Sequence, residues 1–301
     1  MKNNILLSVL FVATVLIIFG CEKSPVEKGS PEYISEINDW HKRRIENLKK
    51  ESGWLNLIGL FILKEGENTF GSSEENDFIL ESEIPKKLCT FILEDSVVKF
   101  KSELEVKIYS NGNQIDSMIL QHDLTGKPTI LEYGTLKFFI IKRGKKFALR
   151  VRDLNAPLLK QFEGIERFPV NDDWKINADF ITYDPPKIMR ISNVIGTVET
   201  EISTGKVSFS MEGKTHTIDA IDAGSDLFIL FADETSGKET YGAGRFLYCS
   251  RPDSNGKVIL DFNKAYNPPC VFTPYATCPL PPPQNHLKLA VTAGEKNYGD
   301  H

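Results

Sequence analysis

The sequence predicts a mainly β fold, and three observations carry that prediction. From Trp54 onward, short apolar stretches alternate with Gly, Asn, Asp and Ser turns. In the second half, Gly196, Gly205 and Gly213 fall eight or nine residues apart, as in an antiparallel meander. Only Ile34 to Lys50 has the spacing of a long helix: Ile34, Ile37, Ile45 and Leu48 recur with Glu, Lys and Arg between them. The expected architecture is two β-rich halves of antiparallel sandwich or barrel type, with a short N-terminal helix.

The chain opens with a different physical signature. Lys2 supplies a positive charge, and Ile5 to Phe19 is an uncharged, largely apolar run of fifteen residues. A membrane-spanning helix needs about 20 such residues, so the run predicts a signal peptide over 1–20. It ends in Ile18-Phe19-Gly20-Cys21. This resembles the bacterial lipobox, which implies cleavage before Cys21 and lipidation of its thiol. Diacylglycerol plus an N-terminal acyl group such as palmitate gives stable anchoring. Membrane lipid is thus an expected partner, through Cys21 only, and the expected location is the cell envelope, on the extracytoplasmic side. Residues 21–33 are polar with Pro25, Gly29 and Pro31, and read as a flexible tether.

The helix is expected to stop near Gly53, after Lys49 and Lys50 at its dipole-negative end. Strands are expected at 54–60, 68–70, 77–80, 89–93, 97–100, 104–108, 135–142 and 147–152. Asn111-Gly112 and Arg143-Gly144 are candidate hairpin turns. Pro157, Gly164 and Pro169 interrupt the periodicity, which divides the body into 34–155 and 156–301. Strands resume at 178–183, 188–194, 197–202, 206–211, 214–218, 227–231, 245–249 and 258–261. Arg150 and Arg152 share a strand face, read as a salt-bridged surface edge.

The formal net charge of −5 argues against a nucleic-acid partner. Gly242-Ala243-Gly244 lacks the spacing of a nucleotide fingerprint, and no cofactor or metal site is expected.

The densest polar and aromatic segment is the Pro-rich loop 261–285. Such loops on a rigid scaffold commonly carry sites. Arg245, Asp261, Asn263, Tyr266, Asn267 and Asn285 are the candidate ligand-binding residues. Asn and Asp would orient a small polar ligand, Tyr266 would wall it, and Arg245 suits a carboxylate or phosphate. The alternative for Arg245 is an internal pair with Asp233 or Asp261. Asp261 as general base would make the site a hydrolase, and a non-catalytic envelope scaffold is a third reading. Cys270 and Cys278 enclose seven residues and are a candidate disulfide. A catalytic Cys270 with His286 as base, or a metal on Cys270, Cys278 and His286, are rival readings of the same residues, although their spacing matches no compact zinc pattern.

Longer phrases carry a family resemblance. Trp54 to Leu60, Gly66 to Ser72, Arg150 to Asp153, Thr240 to Phe246, Asp261 to Pro281, Asn285 and Ala293 to Glu295 resemble the bacterial family called domain of unknown function 1684. That resemblance spans most of the body and implies no particular activity. Gly66, Phe70-Gly71-Ser72 and Asn76 to Leu80 resemble, more locally, the opening of a forkhead-associated β-sandwich. Ser72 stands where that family's phosphothreonine-binding Arg is usual, and Glu83 to Lys86 replaces its Ser-x-x-His. The resemblance therefore implies the sandwich rather than phosphothreonine binding.

Overall fold

The computed structural model describes residues 26–299. The expected signal peptide and the expected lipidation site Cys21 lie outside the described residues. Among the described residues a single long helix, α1 (Pro31–Lys49), precedes seventeen strands. Helix α1 starts three residues earlier than the apolar spacing predicts. Ser30 is its N-cap, accepting from Tyr33 N at 3.2 Å, and Pro31 occupies the first turn. Tyr33, Ile37 and Leu48 form its buried stripe. Gly53 follows because a Cβ there would meet the Leu48 carbonyl oxygen at 2.2 Å.

The first eleven strands are β1 (Leu57–Ile62), β2 (Gly66–Gly71), β3 (Phe78–Ile79), β4 (Cys89–Glu94), β5 (Val97–Ser102), β6 (Ile108–Ser110), β7 (Asn113–Ile115), β8 (Ser117–Leu120), β9 (Leu131–Tyr133), β10 (Leu136–Arg143) and β11 (Lys146–Asp153). They form a five-stranded sheet, ordered β3-β2-β4-β5-β8, and a six-stranded sheet, ordered β1-β11-β10-β9-β6-β7. Phe70, Phe91, Phe100 and Phe138 are buried in the core that both sheets share. Residues 104–107 are not strand. Glu105 takes a positive φ of 66° in a turn before β6, so the expected strand is reduced to its last residue. Arg150 and Arg152 are not at a surface edge either. Their strand β11 lies between β1 and β10, and both side chains are buried.

The remaining strands are β12 (Lys175–Ser192), β13 (Val198–Met211), β14 (Lys214–Ala223), β15 (Asp226–Phe231), β16 (Arg245–Ser250) and β17 (Lys257–Asp261). They make one antiparallel sheet, ordered β16-β15-β14-β13-β12-β17, which nearly closes as a barrel. Two pairs of strands expected as separate are continuous here. β12 runs through Pro185 and Pro186, with a register shift between Thr182 and Lys187. β13 runs through Gly205, which is not a turn. A Cβ there would meet the Phe180 ring at 2.5 Å, so the glycine serves a close approach inside the sheet. Gly196 and Gly213 do sit in turns, at φ 74° and 71°.

Leu227, Ile229, Phe231, Leu247, Leu260 and Phe262 fill the core of this sheet. A second apolar cluster stitches the molecule together: Leu48 and Leu55 pack with Phe162, Ile165, Val271 and Phe272. Helix α1 therefore leans on the second half of the chain, although it precedes the first. Among the described residues no helix is long and apolar enough to cross a membrane.

Candidate functional site

The Pro-rich loop is built mainly of residues that hold the fold. Asp261 caps a short 3-10 turn; its Oδ1 accepts from Tyr33 Oη at 2.8 Å and from Asn263 N at 3.1 Å. Asn263 donates to Asn171 O at 2.8 Å and accepts from Asn171 N at 3.0 Å. Asn267 donates through its backbone to Glu295 Oε2 and through its amide to Lys296 O, both at 2.7 Å. Asn285 bridges strands: it accepts from Asp219 N at 2.8 Å and donates to Asp219 O and Leu230 O. All four side chains are buried.

Arg245 is the most enclosed of the candidates, 0% exposed. It donates to Asp233 Oδ2 and Val291 O, each at 2.9 Å, and to the carbonyls of Ala293 and Glu295. Burial lowers its pKa, while Asp233 opposes that shift. The internal Arg–Asp pair is thus what the structure forms, and it fixes the final segment of the chain. Arg245, Asp261, Asn263, Asn267 and Asn285 line neither of the two clefts described below. Each makes internal hydrogen bonds, while Arg245 Nε, Asp261 Oδ2 and Asn267 Oδ1 are buried without a hydrogen-bond partner.

Cys270 and Cys278 are joined in a disulfide with Cα atoms 6.2 Å apart. Neither sulfur is then a free nucleophile or thiolate ligand. Among the described residues, no group of three or more His, Cys, Asp or Glu side chains is placed to hold a metal ion.

Tyr266 is the candidate that does face a cavity. A cleft of about 430 Å³ is lined by Trp40, Arg44, Trp54, Tyr248, Lys264 and Tyr266 among others. Rings crowd this wall. Tyr266 stacks on Tyr248 at 9° with centroids 6.4 Å apart, and meets Phe246 edge-on at 5.8 Å. The Arg44 guanidinium lies 4.8 Å from the Tyr266 centroid. Behind it, Arg44 Nε stands 3.4 Å from Glu295 Oε1, in a pair whose Glu295 side is fully buried and whose Arg44 side is half-buried. Burial raises the Glu295 pKa, and Arg44 opposes the rise.

A second cleft, of about 460 Å³, adjoins the first. Both are lined by Trp54, Phe228, Phe246 and Pro269, so they form one groove over a shared apolar floor. One wall of the second cleft comes from the first half, through Trp54, Leu124 and Arg143. The other comes from the sheet of the second half, through Ile191, Asn193, Glu199, Glu201 and Ile221. Thr277, beside the disulfide, closes the end. It accepts from Arg143 Nε at 3.2 Å and from Arg150 Nη2 at 3.4 Å.

The charges here are unevenly matched. Arg143 pairs with Asp123 at 2.6 Å, and Asp222 pairs with Arg251. Arg150 is only 3% exposed, rests 5.6 Å from the Trp54 ring, and has no ion-pair partner among the described residues. Its Nε is buried with no hydrogen-bond partner. Burial, with Arg143 and Arg152 nearby, lowers its pKa to about 9. Opposite, Glu199 Oε1 is likewise buried without a partner. Burial, then the neighbouring Glu199, raises the pKa of Glu201.

Tyr266, Thr277 and Cys278 belong to the Pro-rich loop singled out from the sequence, whereas Trp40, Arg44, Arg143, Glu199 and Glu201 were not among the candidates. One signal for them was present: Glu199 and Glu201 sit two apart in a strand and so share a face.

No curated protein matches this chain. A solution structure of an uncharacterized protein from Haloarcula marismortui is similar at 30% identity. That match covers 47% of this chain and 80% of the other, with a TM-score of 0.40. The FhaA FHA domain complexed with the intracellular domain of Rv3910 is similar at 14% identity, covering 31% of this chain and 97% of that one, with a TM-score of 0.22. Both TM-scores fall below 0.5, so neither likeness supports an argument about structure. A family model described as "Protein of unknown function (DUF1684)" matches residues 160–296, while the family-like phrases between Trp54 and Asp153 lie outside the matched segment. Over residues 160–296 the chain is thus similar to the DUF1684 family.

Proposed function

We propose that this protein binds a small molecule in the groove between its two halves, with no reaction implied. The observation that carries the reading is the shared floor of the two clefts, Trp54, Phe228, Phe246 and Pro269. An apolar floor with a few convergent polar groups is the usual make-up of a ligand site. This keeps the small-ligand expectation but moves the ligand off the buried loop side chains. Tyr266 remains a contact. The hydrolase reading loses support, because Asp261 lines neither cleft and its Oδ1 already holds Tyr33 and Asn263.

The envelope location and the Cys21 anchor belong to the same proposal. The Cys270–Cys278 disulfide supports an oxidising compartment. The two halves are proposed as units 34–155 and 156–301, the first a sandwich of forkhead-associated type and the second carrying most of the groove.

A thermal-shift screen of the whole protein against chemically diverse metabolites tests the groove. Ala223 is exposed and lines the second cleft, so Ala223→Trp fills the space without disturbing the core. Compounds that stabilise the native protein but not Ala223→Trp are expected. Compounds that stabilise both equally, or none at all, would overturn the reading.

A further inference from the structure

Two unsatisfied charges flank the second cleft: Glu199 lines its sheet wall, and Arg150 lies behind the wall that holds Thr277 and Trp54 without lining the cleft itself. Arg150, behind Thr277 and Trp54, is a buried cation without a carboxylate partner. Asp123 favours its charged form, but that carboxylate is already held by Arg143. Glu199 and Glu201 line the facing sheet with no ion-pair partner among the described residues, and Glu199 Oε1 is a buried acceptor lacking a donor. Leaving such groups unmatched is costly, and a partner for each recovers that cost. The neighbouring charged and polar groups are largely occupied: Asp222 by Arg251, Arg143 in part by Asp123, Asn193 by Thr197.

A simple anion would meet the two glutamates, and a simple cation would meet the two arginines. A molecule carrying both charges satisfies both walls. Between them the surface is apolar, from Trp54, Ile221, Phe228 and Phe246. Building on the proposed small-molecule groove, we infer that its ligand is a zwitterion with an apolar body, namely an amino acid or short peptide with Leu- or Phe-like side chains. Its carboxylate is received by Arg143 and Thr277, which line the cleft, where a guanidinium gives two parallel hydrogen bonds, and the Arg150 charge behind Thr277 favours the anion there. Its ammonium is received by Glu199 and Glu201.

Calorimetric titration of the whole protein tests this with free leucine and phenylalanine, the dipeptides made from them, and their N-acetyl and C-amide forms. The uncapped compounds are expected to bind, and capping either end to weaken binding at least tenfold. Arg143 is partly exposed, so Arg143→Gln keeps the fold; it is expected to abolish the penalty for the C-amide while keeping that for N-acetylation. Glu199→Gln is expected to do the reverse. Equal binding of capped and uncapped forms, or no binding by any of these compounds, overturns the inference. If phosphocholine or a neutral sugar binds instead and is excluded by Ala223→Trp, the peptide inference fails while the groove reading stands. If Ala223→Trp excludes nothing, the groove reading fails as well.

Discussion

Arg245 Nη2 donates to Asp233 Oδ2 at 2.9 Å with both side chains essentially out of solvent, and this pair secures the end of the chain. Asp233 Oδ1 also accepts from Thr235 N at 2.8 Å and from Val291 N at 3.3 Å, and the same guanidinium gathers the carbonyls of Val291, Ala293 and Glu295. Glu295 then receives Asn267 N and faces Arg44 from α1. One buried cation is thus connected through the last segment to the first helix.

Removing Asp233 would leave the Arg245 charge buried and unpaired. Truncating one partner of a buried pair typically costs about 3–5 kcal/mol. Asp233→Ala is expected to lose that much in urea denaturation. A loss below about 1 kcal/mol would show that the pair contributes little.

The disulfide closes a short loop, so its effect on the unfolded chain is modest, about 2.5 kcal/mol on the chain-entropy estimate. Replacing Cys270 and Cys278 together by Ser is expected to lower Tm. It is also expected to weaken ligand binding, because Cys278 and its neighbour Thr277 line the second cleft. Differential scanning calorimetry of the double variant reads the first effect.

Burial, with Arg167 and Arg44 close by, pushes the His41 pKa down from 6.5 to about 4. The unfolded chain then binds more protons than the folded one between those values. Stability is therefore complete above pH 6.5 and falls as pH drops toward 4. Tm measured across that window is expected to decline, and His41→Gln is expected to flatten the decline.

The proposed lipidation at Cys21 predicts that labelled palmitate is incorporated by the whole chain in a bacterial host and that the product fractionates with membranes. Cys21→Ser is expected to abolish both. Equal labelling of the variant would refute the anchor.

Much of the fold was legible because its patterns are local. Leu136 to Lys142 and Phe147 to Arg152 flank a Gly144 turn, and they form the paired strands β10 and β11. The early start of α1 was also written in Ser30-Pro31, a cap followed by a first-turn proline, but the apolar stripe drew attention to Ile34 instead. Gly205 misled because composition marks it as a turn, whereas only the Phe180 ring across the sheet explains it.

The site was less legible for the same reason. Polar residues in the loop 261–285 look available in sequence, yet Asn285 and Asp261 find partners 66 and 228 residues away. The cleft draws on Trp54, Arg143, Glu199 and Thr277, which no local spacing connects.

The most direct measurement of the central claim is native mass spectrometry of the intact protein released gently from its own host's membranes, beside the Ala223→Trp variant. The account predicts a small-molecule mass retained by the native protein and absent from the variant. The same adduct on both, or none on either, would contradict it.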